Sequence, residues 1–218
     1  MVKVLEGVGC RVNYNAEQTC CGQPAFNSGH WDDAKELGEK FLKEFSGDRY
    51  IVVPSGSCCG FMRNYYSELF QNTVLHNKLK SVRSRLFEFT EFLVEVLKID
   101  NLNAKFDAKA VYHDGCASLR ECNINEAPRK LLKNVKGLEL VDVRDPHDCC
   151  GFGGSFSVKY EDISVAMGTD KAENIMSSGA DYLISGDMSC LMHLDGILAK
   201  KGSKIRSLHI ADVLAAGW

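Results

Sequence analysis

Two kinds of hydrophobic pattern alternate along the chain. Residues 32–45, DDAKELGEKFLKEF, place Ala34, Leu37, Phe41, Leu42 and Phe45 on one face of a 3.6-residue period, which predicts a helix. EDISVAMGTDKAENIMSSG (161–179) predicts a second helix, and SRLFEFTEFLVEVLK (84–98) a third with an acidic outer side. Between them lie short apolar runs: RYIVVP (49–54), AKAVYHD ending at Asp114, GLELVDV (137–143) and DYLIS (181–185). Such runs suit strands buried on both faces of a parallel sheet. The opening VKVLEGVG reads as the tail of a helix running into a strand around Cys10–Tyr14. Strands alternating with helices predict an α/β fold with parallel sheets and functional loops at the carboxyl ends of the strands.

The pattern occurs twice. Cys20-Cys21-Gly22 is followed by a Gly/Ser-containing loop, a helix, the run Tyr50-Ile-Val-Val and a loop ending Pro-Ser-Gly-Ser-Cys58. Cys149-Cys150-Gly151 is followed by the same series, through Tyr182-Leu-Ile to Gly-Asp-Met-Ser-Cys190. Thirty-five residues separate Gly22 from Cys58 and 38 separate Gly151 from Cys190, so three extra residues in the second copy account for the difference. We read a tandem duplication, with residues 1–100 as an N-terminally incomplete first repeat and 101–218 as the second. The polar stretch DNLNAK (100–105) marks the boundary.

Composition narrows the class. The chain has 218 residues, 45% hydrophobic and 25% charged, as a soluble globular protein does. A net charge of −3 and the lack of a Lys/Arg run argue against nucleic acid as a partner. No apolar stretch reaches the roughly 18–20 residues of a transmembrane segment, and the first residues lack the features of a signal peptide. The expectation is a cytoplasmic protein whose thiols are reduced or metal-bound. No G-x-G-x-x-G fingerprint appears, which disfavours a self-contained nicotinamide enzyme.

Ten cysteines are many for such a chain. The second repeat carries a full set, Cys116, Cys149, Cys150 and Cys190, each after a predicted strand, so three loops should bring four thiolates to one sheet edge. Soft sulfur donors favour an iron–sulfur cluster, [4Fe–4S] first, over hard cations. Zinc is the alternative at one site, though the paired C-x-x-C hooks of structural zinc sites are missing. A redox-active vicinal disulfide and plain buried cysteines are the other readings. In the first repeat Cys20, Cys21 and Cys58 match three of the four ligands, while the counterpart of Cys116 would fall before Met1, so this site is expected to be incomplete. Cys59 is a candidate substitute; Cys10 and Cys122 read as packing cysteines. His113 and His147 flank the second set as hydrogen-bond donors or, more commonly, structural histidines. Arg120 and Arg144 read as solvated surface. No catalytic residue is identifiable.

QTCCGQPAFNSG (18–29), PSGSC (54–58), CCGFGGSFSVKY (149–160) and SGDMSCLMHLDGI (185–197) together resemble the cysteine-rich CCG domain family. That family includes the cysteine-rich component of heterodisulfide reductase, the iron–sulfur component of glycolate oxidase and the membrane-anchoring component of anaerobic glycerol-phosphate dehydrogenase; the likeness is strongest to its lactate-utilisation branch. The resemblance implies Rossmann-like halves about a pseudo-twofold axis and [4Fe–4S] clusters on the cysteines named above. It also implies an iron–sulfur oxidoreductase subunit that works with two partner subunits in oxidising L-lactate, a small 2-hydroxy acid, to pyruvate. A thiol or heterodisulfide reductase with a catalytic cluster, and a structural zinc protein that docks partners, are the alternatives. The chain departs from the family's C-x-x-C at Ser55-x-x-Cys58 and Asp187-x-x-Cys190. Asp187 is therefore either an oxygen ligand or a loop-capping aspartate.

Overall fold

The computed structural model describes residues 1–71 and 73–217. Six strands form two sheets among these residues: β1 (Ile51–Val53), β2 (Leu86–Glu88), β3 (Lys105–His113), β4 (Lys136–Leu140), β5 (Tyr182–Ser185) and β6 (Arg206–His209). β1 pairs with β2, and the larger sheet has the order β4-β3-β5-β6; every pairing is parallel. The α/β class expected from the alternating pattern is the observed one. β3 and β5 run through the middle of their sheet, with Val111 and Leu183 packed on one face and Ala110 and Ile184 on the other. Burial on both faces is why these strands read as apolar runs without alternation.

The helices are α1 (Val2–Gly7), α2 (Gln23–Asn27), α3 (Trp31–Glu44), α4 (Gly56–Asn64), α5 (Tyr66–Phe70), α6 (His76–Arg83), α7 (Phe89–Glu91, continued by a π-helical turn over Phe92–Val96), α8 (Cys116–Arg120), α9 (Glu126–Lys133), α10 (Ser155–Lys159), α11 (Glu161–Ser177), α12 (Met188–Lys200) and α13 (Ile210–Leu214). None is long and apolar enough to cross a membrane. The expected helices at 32–45 and 161–179 are α3 and α11. One hydrophobic core lies within residues 21–86, around Leu42, Phe61, Tyr66 and Phe70. A second lies on the α11–α12 side of the larger sheet. The third joins α1 and Phe89–Leu102 to β3, α9 and α13.

Two expectations need correction. The segment 84–98 is not one helix: Leu86–Glu88 forms β2 on β1, and the helix starts only at Phe89. Pairing with β1 overrides the helical period, and the break is enforced by a capping box. Glu88 accepts from the Thr90 and Glu91 backbone N–H groups, at 2.7 and 3.1 Å, and Glu91 accepts from the Glu88 N–H at 3.1 Å. Nor do Cys10–Tyr14 form a strand. Their counterpart in the second repeat is the edge strand β4, whose only ladder partner is β3. Among the described residues the first repeat offers no strand at that place, so residues 10–14 have no ladder to join. β6 is not predicted by the pattern, since the four residues RSLH carry too little of it.

The duplication extends to these late elements. β1–β2 corresponds to β5–β6, and each second strand ends on a buried side chain that caps the next helix: Glu88 on α7 and His209 on α13. His209 Nδ1 accepts from the Ala211 N–H at 3.1 Å, which leaves the Nε2–H to reach the carbonyls of Pro54 (3.0 Å) and Gly186 (3.3 Å). Pro54 follows β1 and Gly186 follows β5, so one imidazole ties the two repeats together. They also meet where α4 crosses α8. A β-carbon at Gly56 would lie 2.9 Å from Ser118 Cβ and 3.0 Å from its Cα, closer than side-chain rotation can relieve.

Gly56→Ala should therefore push α4 off α8 and destabilise the protein by about 1–3 kcal/mol in chemical denaturation. A second prediction concerns pH. Burial raises the Glu88 carboxyl from 4.5 to about 7, so between those values the folded state holds a proton that the unfolded chain has lost. Stability should fall as pH rises through this window, by up to about 3 kcal/mol. The cap hydrogen bonds all fall on one carboxylate oxygen, which a glutamine can supply. Glu88→Gln should abolish this slope in denaturant titrations at pH 5 to 8.

A candidate metal centre

Parallel pairing of β4, β3 and β5 sets their carboxyl ends side by side. Cys116 opens α8 just after β3, Cys149 and Cys150 lie on the loop after β4, and Cys190 lies in the first turn of α12 after β5. The structure brings these four cysteines of the second repeat together. Cys149 receives hydrogen bonds from Cys116 and then Cys150, which hold its thiol well below the ordinary value. Cys190 receives one from Cys150 and falls to about 6. Cys116 and Cys150, the donors, are pushed up by the same bonds. Thiol and thiolate thus alternate around a packed sulfur group, the arrangement that a bound cation replaces by displacing the shared protons.

The turn that presents the sulfurs is built by Gly151. Its φ is +87°, and a β-carbon there would lie 2.5 Å from the Ser164 carbonyl of α11. Only glycine combines that backbone with that approach. The turn directs the Gly151 N–H to Cys149 Sγ (3.4 Å) and the Phe152 N–H to Cys150 Sγ (3.5 Å). Ser164 Oγ closes the anchorage by donating to the Gly151 carbonyl at 2.8 Å. Upstream, buried Asp114 takes a two-pronged pair from Arg129 at 2.6 and 2.7 Å and faces His147 Nδ1 at 3.4 Å. Buried Lys171 donates to the carbonyls of Asp145 and Pro146 at 3.0 and 2.8 Å. The loops carrying Cys116 and Cys149 are fixed to one another before either cysteine is reached.

The first repeat reproduces the turn. Gly22 has φ +93°, its N–H points to Cys20 Sγ at 3.5 Å, and a β-carbon would meet the Ala34 carbonyl of α3 at 3.1 Å. Cys21 Sγ donates to Cys58 Sγ at 3.4 Å, while Cys20 is exposed. No fourth sulfur joins them among the described residues. Cys59 turns instead toward Cys122, whose sulfur lies 3.5 Å from the Gly56 carbonyl. Cys10 packs against the central core, as expected of a packing cysteine. Arg120 is exposed and Arg144 pairs only with exposed Asp145 at 3.1 Å.

Asp187 caps α12. One carboxylate oxygen accepts from the Ser189 N–H (3.3 Å) and hydroxyl (2.6 Å). The other accepts from the Ser55 hydroxyl (3.1 Å) and the Ser57 N–H (3.2 Å) of the other repeat. Ser55 and Asp187, the two departures from C-x-x-C, thus bond to each other across the junction.

His113 is the residue whose importance the sequence understated. It ends β3, is 0% exposed, and neither ring nitrogen has a hydrogen-bond partner among the described residues. A ring nitrogen and the sulfurs of Cys150 and Cys190 all lie within 4.8 Å of one another. A buried unpaired polar group costs about 1–3 kcal/mol. Four sulfurs, amide donors on two of them and an unsatisfied imidazole fit a soft metal ion or an iron–sulfur cluster. The signal in the sequence is the His-Asp pair immediately before Gly115-Cys116.

Comparison with known proteins agrees. The family described as "Cysteine-rich domain" (CCG) matches residues 1–63 and 110–195, which include all seven cysteines of the two sets. Lactate utilization protein A of an Exiguobacterium strain is 46% identical over 219 residues, covering 99% of this chain and 89% of the relative. The protein of that name from a Geobacillus strain is 44% identical (98% and 90%), and that from Oceanobacillus iheyensis 38% (98% and 87%).

Asp187→Asn keeps one cap acceptor and turns the other into a donor facing the Ser57 N–H. It should cost about 1–3 kcal/mol of stability and leave the metal content of anaerobically prepared protein unchanged. Loss of metal would make Asp187 a ligand instead.

Proposed function

Starting from the fact that the chain belongs to the cysteine-rich CCG family, in its lactate utilization protein A group, we propose that it is an iron–sulfur oxidoreductase subunit of lactate utilisation. The observation that carries this reading is the convergence of Cys116, Cys149, Cys150 and Cys190 from three loops onto one sheet edge. Those four residues hold a [4Fe–4S] cluster, whose contribution is one-electron redox chemistry in a buried setting. Oxidation of L-lactate to pyruvate removes two electrons and two protons. The subunit carries the electrons, and two partner subunits complete the complex.

Each element has a part. Cys150 and Cys190, both buried, form the inner wall, while Cys116 and Cys149 are partly exposed and form the outer one. The Gly151 and Phe152 N–H groups donate to sulfur and oppose the build-up of negative charge on reduction. Asp114, Arg129 and Lys171 keep the ligand loops in register without offering the cluster an oxygen donor. In the first repeat Cys20, Cys21 and Cys58 supply three donors, so this site binds more weakly. Residues 1–100 and 101–218 are in this reading one incomplete and one complete copy of a single unit. The protein works in the cytoplasm, where its ten cysteines, all free, stay reduced.

Anaerobic purification with absorbance and iron, sulfide and zinc analysis tests the proposal. The expected protein is brown and holds iron and sulfide in equal amounts; Cys150→Ser should lose most of both. A colourless protein loaded with zinc alone would overturn the redox reading. For the substrate, deletion of the gene should abolish growth on L-lactate in a strain with no other lactate dehydrogenase.

A further inference from the structure

The imidazole of His113 is held rigidly. β3 is an inner strand, His113 stands in register with Ser185 of β5, and its carbonyl accepts from Ser185 Oγ at 2.9 Å. The backbone at the end of the strand is thus fixed from two sides. A buried histidine with a purely structural role satisfies its ring against a carbonyl or a hydroxyl, as His209 does at both nitrogens in this same chain. His113 has neither. What it faces is sulfur: Cys150 and Cys190, the two buried cysteines of the set.

Two roles suit an imidazole there, ligand to the metal or hydrogen-bond donor to the sulfurs. A ligating histidine almost always donates its second N–H to a carbonyl or carboxylate, which fixes the ring and its tautomer. No such partner faces His113 among the described residues. The nearest candidate carboxylate on the adjoining loop, Asp187, is committed on both oxygens to Ser55, Ser57 and Ser189. Four cysteines already satisfy an ordinary cluster, so the site has no need of a nitrogen ligand. Hydrogen bonds to the sulfurs of such a centre stabilise its reduced, more negative form and raise its potential.

We infer that His113 donates a ring N–H to the sulfur of Cys150 or Cys190 in the loaded protein and sets the reduction potential of the second site. It is a positioning and tuning residue, not a ligand. The inference rests on the proposed function, because it needs a cluster on the four cysteines.

The test is an EPR-monitored redox titration of the anaerobically loaded protein, with wild type compared to His113→Leu, His113→Asn and His113→Gln. The Leu variant should keep the wild-type iron stoichiometry and shift to lower potential. At least one of the amide variants, which offer an N–H at the position of one or other ring nitrogen, should recover part of the shift. Leu214→Val, in the central core away from the site, controls for loosened packing and should leave the potential unmoved. On wild-type protein labelled with ¹⁵N-histidine, pulsed EPR should find a weak nitrogen coupling, and this measurement decides even if the Leu variant fails to fold. A potential unchanged in His113→Leu, or no nitrogen coupling in wild type, overturns the inference. A strong coupling from nitrogen bound directly to iron, accompanied by loss of iron in the variant, overturns it as well. In those cases the cluster itself is present and the proposed function stands; wild-type protein that takes up no cluster removes the proposed function and this inference with it.

Discussion

Parallel pairing of three neighbouring strands is the constraint on which the site depends. Because β4, β3 and β5 run the same way, their carboxyl ends open on one edge, and whatever follows each strand must meet there. Cys116 follows the central strand, the Cys-Cys-Gly turn follows one neighbour and Cys190 follows the other. Ligands separated by more than thirty residues at each step thus become adjacent with no special long-range contact to bring them in.

Gathering four thiols in a partly buried space works against that arrangement, since every thiolate formed repels the next. The protein answers with donors. Backbone N–H groups of the glycine turn point at Cys149 and Cys150, and the thiols share protons among themselves. The charged groups nearby are mostly occupied elsewhere: Asp114 by Arg129, Asp187 by three serines, Lys171 by two carbonyls. The polar neighbours are satisfied, and His113 is left as the unpartnered polar ring facing the sulfurs.

The two repeats share one scheme but differ in what surrounds it. The same glycine-centred turn sits against the same position of the following helix, at Ala34 on α3 and Ser164 on α11. The second strand of each pair ends in a capping side chain, yet the cap is Glu88 in one and His209 in the other. Where the copies touch, equivalent positions have become complementary: Ser55 donates to Asp187, and His209 reaches the carbonyl of Pro54. Residues that would extend the ligand set in a fuller motif instead join the halves.

Much of this is legible in the residues. The short apolar runs locate β1, β3, β4 and β5 because strands buried on both faces need no alternation, and the spacing of Gly22 to Cys58 against Gly151 to Cys190 exposes the duplication. The second ligand set follows from one rule about strand ends. Other features depend on neighbours that no local pattern encodes. Leu86–Glu88 is a strand only because β1 lies beside it, and Cys10–Tyr14 is none because no strand does. Cys59 is adjacent to Cys58 in sequence, but a helix turns its sulfur toward Cys122. The role of Asp187 depends on Ser55, 132 residues away, and that of His113 on the lack of any oxygen near its ring. Which residues can bind, and in what order they recur, is already settled along the chain, since those are properties of side chains and spacing. Which polar groups find partners is settled only when the chain is folded, since hydrogen bonding and burial depend on what the whole fold brings into contact.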